Sequence, residues 1–67
     1  MSDERLRLRK LIEHWAEHND EHRARFEESA RTADAMEMNI VADHLRSAAK
    51  AAAQASDHLR KAIEAFG

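Results

Sequence analysis

Apolar residues along this chain fall into two stretches of helical period, separated by a polar interval. In the first, Leu8, Leu11, Ile12, Trp15 and Phe26 share one face at the three- and four-residue spacing of a helix. His18 and His22 stand in that stripe where apolar residues would otherwise be expected. The second stripe runs Met38, Val41, Leu45, Ala48, Ala52, Ala55, Leu59, Ala62 and Phe66, with Ile63 beside it. It keeps a coiled-coil repeat of seven through an alanine-rich middle.

No proline occurs and the only glycine is Gly67, so register must decide between one long helix and two. Carrying the first seam forward by whole heptads lands on Met36, Asn39, Asp43, Arg46 and Lys50, most of them unable to continue it. The second stripe is two places out of phase with the first. Asp34 followed by Glu37 resembles a capping box with Asp in place of Ser or Thr. These features predict a turn near Thr32–Ala35 between two antiparallel helices, over about residues 3–32 and about residues 35–66. Ser2 is placed to cap the first helix, with Asp3 and Glu4 at the positive end of its dipole.

Folding back about that turn sets the Trp15–His22 segment opposite Ala48–Ser56, large residues against small ones. The expected fold is all-α, a two-helix antiparallel hairpin forming one domain over 1–67. A lone hairpin of this size buries a thin core. Two copies are therefore expected to pair as a homodimeric coiled coil or four-helix bundle.

Composition narrows the function. Charged residues make up 36% of the chain and the formal charge is −2, which gives no overall pull toward nucleic acid. The cluster Arg5, Arg7, Arg9 and Lys10 is interspersed with Asp3, Glu4 and Glu13, as on a solvated helix end. No apolar run approaches the roughly 20 residues that span a bilayer, and no leader is visible, so a cytoplasmic protein is expected. Without cysteine, any metal must be held by nitrogen and oxygen.

The candidate chemistry is a ladder of histidines. His14, His18 and His22 follow one another at four-residue spacing, where helical side chains stack on one face. Helix rise separates His14 from His22 by about 12 Å, so neighbours, not all three, can grip one ion. His22 points nearest the middle of the seam, His18 to its edge and His14 toward solvent. Two adjacent histidines from each of two chains would supply four imidazoles about a two-fold axis. Such donors suit nickel(II), copper(II), zinc or cobalt, with Glu17 and Glu21 able to add an oxygen or orient an imidazole.

Trp15 is expected to pack in the core and keep the site dry. Asn19 is expected to set register. Met36 and Met38 read as packing residues at the turn, His58 as surface, and His44 as an auxiliary on the flank of the second stripe. Catalysis is not expected. No nucleophile–base pair or phosphate loop is present, and the Glu-x-x-His pairs of di-iron bundles are missing. The competing reading is a structural coiled-coil module whose histidines act as a pH-dependent latch.

The run His14-Trp15-x-x-His18-x-x-x-His22 resembles the histidine–tryptophan motif of the CooJ family, nickel chaperones that help mature carbon monoxide dehydrogenase. The resemblance implies a helical homodimer with a nickel(II) site built from His14, His18 and His22 at the subunit interface. It also implies a client, apo carbon monoxide dehydrogenase or another nickel-insertion protein. Family members usually continue into a histidine-rich tail, which does not follow Phe66-Gly67 here. The sequence is therefore expected to be either a piece of a longer protein or a short family member, with single-site binding as the expectation for the residues given.

Overall fold

The computed structural model describes residues 3–67, which form two helices, α1 (Asp3–Ala35) and α2 (Asn39–Glu64), packed antiparallel along their length. The hairpin is a rod of 53 × 14 × 11 Å. The cap expected at Ser2 lies outside the described residues.

The connection is three residues long and sits later than the sequence pattern suggests, at Met36–Met38 instead of Thr32–Ala35. Its hydrogen bonds explain how α1 ends without glycine or proline. The Met38 amide donates to the Ala33 carbonyl at 2.8 Å and the Glu37 amide to that of Asp34 at 3.0 Å, while Glu37 takes φ 60. This is a Schellman termination with a glutamate in the left-handed position that glycine usually fills. The capping box expected from Asp34 and Glu37 does not form. Met38 precedes α2 with no side-chain cap, and the Asp34 carboxylate instead accepts from Arg46.

The helices meet along small residues. Ile12, Ala16, Ala30 and Ala33 of α1 and Ala42, Ala49, Ala52 and Ser56 of α2 are the buried positions, and no large side chain is fully enclosed. Each set follows a three–four spacing. On α1 the line runs through residues 9, 12, 16, 19, 23, 26, 30 and 33, and on α2 through 42, 45, 49, 52, 56, 59, 63 and 66.

The α1 line lies one residue beyond the stripe marked by Leu8, Leu11 and Trp15. Those three side chains are 49%, 43% and 47% exposed, which overturns the expectation that Trp15 fills the core. Met36 and Met38 are likewise exposed, at 64% and 44%, and do not pack over the turn. The physical reason is closeness of approach: two helices lined by alanine sit nearer each other than leucine and tryptophan would allow.

Asn19 fixes the register of these two lines. Its amide donates to the Ser56 hydroxyl at 2.8 Å and to the Ala52 carbonyl, and the Ser56 hydroxyl donates in turn to Asp20 at 2.6 Å. Arg60 completes the cluster by donating to the Asp20 carboxylate. The arrangement sets the Asn19 turn level with Ala52–Ser56, the register expected, although Trp15 and His22 do not face those small residues. At the open end, the Arg5 guanidinium donates to the Phe66 carbonyl at 2.7 Å and lies over the Phe66 ring. No helix among the described residues is long and apolar enough to cross a membrane.

Candidate metal centre

Position on α1 decides what the histidines face. Residues 8, 11, 15, 18 and 22 lie about 100° round the helix from the α2-facing line, while Asp20 lies on the opposite flank. On α2, which runs the other way, Val41, Ala48, Ala55 and Ala62 turn to the histidine side, and Arg46 and Arg60 to the Asp20 side. The rod thus has two long faces of different chemistry. One carries Asp20, Asp34, Arg46 and Arg60 in ion pairs. The other carries leucine, tryptophan, histidine and a row of alanines.

His14, His18 and His22 are all exposed in the single hairpin, because the stripe they belong to is not the one that α2 covers. They form a continuous column of rings. The His14 and His18 centroids are 5.7 Å apart with planes 18° from parallel. His18 and His22 are 4.7 Å apart and nearly perpendicular, at 88°. Phe26 continues the column, stacked 6.1 Å from His22.

An ion bound at roughly 2 Å by one nitrogen of each imidazole sits about 3 Å from each centroid, so two adjacent ligands have centroids about 4.5–5 Å apart. The His18–His22 spacing matches that bite. The stacked His14–His18 pair is wider and nearly parallel, which converges less well on one ion. The Glu21 carboxylate is 3.7 Å from the Nδ1 of His18, beyond the hydrogen bond by which ligating histidines are commonly oriented. Among the described residues no three histidines, aspartates or glutamates converge as a metal cage. The pair therefore supplies at most half of a four-coordinate site.

His44 and His58 are exposed and stand one turn beyond Val41 and Ala55, at the outer edge of the same face. This agrees with the reading of His58 as surface and of His44 as lying on the flank of the second stripe.

The electrostatics of the opposite face are resolved by Asp20. Arg60 and then Ser56, both donating to the carboxylate, lower its pKa from 3.8 to about 2. A depressed carboxylate stabilises the fold above its unfolded pKa, and that contribution is lost as pH falls through the folded value. Acid unfolding followed by circular dichroism should accordingly show the Asp20 contribution disappearing between about pH 4 and pH 2. Asp20→Asn should flatten stability across that window.

The sequence of residues 8–66 matches the model of a family described as "Domain of unknown function (DUF8180)". The chain belongs to the DUF8180 family. A relative from Archaeoglobus fulgidus, described as an uncharacterized protein, is 38% identical over 61 residues, covering 91% of this chain and 97% of the relative. No solved structure matches this DUF8180 chain. The matched residues run from Leu8 in α1 to Phe66 and include His14, His18 and His22.

Proposed function

We propose that this protein is a non-enzymatic, cytoplasmic nickel(II)-binding accessory protein. It acts as a homodimer, holding the ion at the subunit interface and passing it to apo carbon monoxide dehydrogenase or another nickel-insertion protein. The observation that carries the reading is the perpendicular His18–His22 pair, 4.7 Å apart on an exposed apolar face. The likeness of His14-Trp15-x-x-His18-x-x-x-His22 to the CooJ motif supplies the choice of nickel and of client.

The pair is half a site, so a second copy completes it with four imidazoles about a two-fold axis. His14 stands at the rim, where it assists capture or exchange. Zinc, copper and cobalt suit the same donors, and copper binds more strongly by intrinsic affinity, so delivery of nickel depends on supply and client. A ligating imidazole must be deprotonated, so acidification releases the ion.

Calorimetry tests this reading. Nickel should bind near neutral pH with no more than one or two ions per dimer and raise the unfolding temperature in a way that chelator reverses. A dimer that ignores nickel and chelator but dissociates as pH falls would replace the metal site with the pH latch.

A further inference from the structure

Two large side chains on the histidine face have no partner in the hairpin. Trp15 is 47% exposed, and Arg25 is exposed with no ion pair among the described residues. Both lie on the outer heptad of α1, and their spacing is symmetric about the metal pair. Trp15 precedes His18 by three residues and Arg25 follows His22 by three. A two-fold axis crossing α1 midway between His18 and His22 therefore brings Trp15 of one chain to the level of Arg25 of the other.

We infer that a second copy of this chain docks α1 against α1 in antiparallel sense, with each Trp15 stacked on the partner subunit's Arg25, so that two indole–guanidinium pairs close the metal site at both ends. The inference rests on the homodimeric metal-site reading and specifies how the copies meet.

Three observations favour a second copy as the occupant of this face. The hairpin exposes 5188 Å², whereas a compact monomer of its mass exposes about 4,300 Å². A thin rod therefore leaves more surface uncovered than a compact fold of the same mass. Leu8, Leu11 and Trp15 with His18 and His22 form a second line at heptad spacing, a seam that a second helix can cover. Ala48, Ala55 and Ala62 on the same face let the two α2 helices close up when the α1 helices are opposed.

Stacking α1 on the partner's α2 instead would put the two histidine columns at opposite corners of a four-helix bundle, where they share no ion. The Trp15–Arg25 contact also resolves an electrostatic conflict. A free guanidinium one turn from a divalent cation opposes binding, whereas one held flat on an indole is kept off the ion.

The chain has no native cysteine, so single-cysteine chains report the docking directly, with nickel bound and again in chelator. Residues 11 and 29 are equidistant from the proposed axis, as 15 and 25 are. Leu11→Cys chains mixed with Ser29→Cys chains should therefore cross-link, whereas Leu11→Cys mixed with Ala62→Cys should not. Arg25→Gln should weaken dimerisation about tenfold by sedimentation, since two stacked contacts vanish at once, and Arg25→Lys should retain most of it. The Trp15→Leu and Arg25→Gln effects should be strongly non-additive.

A Leu11–Ala62 cross-link, additive effects of the two substitutions, or a monomer under both conditions would overturn the inference. Absence of nickel binding with the Leu11–Ser29 cross-link intact would overturn only the metal reading.

Discussion

Replacing His22 with alanine should remove high-affinity nickel binding. In the dimer one substitution deletes two ligands of a four-imidazole site, since symmetry repeats the change. The loss should exceed the 10–100-fold that follows removal of a mere orienting partner. His18→Ala should come close behind, because the two rings form the pair whose 4.7 Å separation and perpendicular planes suit one ion. His14→Ala should cost much less, its ring being stacked against His18 at 5.7 Å. Titration calorimetry at fixed pH measures all three, with circular dichroism confirming that each variant stays helical. A large loss for His14→Ala with little loss for His22→Ala would instead shift the site one turn toward the N-terminus. Unchanged affinity in both His18→Ala and His22→Ala would end the metal assignment.

Ala42→Leu should destabilise the fold more than any other single change of similar size. Ala42 has 0% exposure and lies on the α2 line that faces α1, in the first turn after the connection. Three added carbons have nowhere to go without forcing the helices apart. Overpacking of this kind costs about 2 kcal/mol, a fall in Tm on the order of 10 °C for a domain this small. Ala24→Leu, at an exposed position, is the control and should change Tm little. Thermal unfolding of the two variants, compared at one protein concentration, separates packing from any change in association.

The hairpin is legible in the sequence because two heptad lines out of phase cannot belong to one helix. Asn19 is legible as well, since a lone amide within an apolar line has few roles other than fixing alignment. Which face of α1 meets α2 is not. α1 carries two heptad lines one residue apart. Leucine and tryptophan mark the outer line strongly, while alanine marks the inner one weakly. Hydrophobic patterning follows side-chain size, but close helix packing rewards its absence, so the pattern points Trp15 at the wrong interface.

The turn is displaced for a different reason. A glutamate in the left-handed conformation gives no compositional sign of itself, and Asp34 offers an apparent cap that serves Arg46 instead. At the candidate site the sequence shows only which histidines share a face. His18 and His22 do sit together, and what the sequence could not supply is their ring geometry or their exposure in the single hairpin.

The alanine line of α2 has a consequence for how the chain reaches this structure. A helical hairpin closes from its turn outward, and loop closure over three residues is fast. Along Ala42, Ala49 and Ala52, however, one heptad feels much like the next to a partner helix. A chain that zipped seven residues out of step would set the Asn19 amide against Ala49 or Ile63, where no hydroxyl awaits it. The slip forfeits the Asn19–Ser56 and Ser56–Asp20 bonds, about 0.5–1.5 kcal/mol each, which favours reopening of the slipped hairpin. Ser56 thus works as a proofreading point halfway along the zipper, and its replacement by alanine should show first as heterogeneous refolding, before it shows as lost stability.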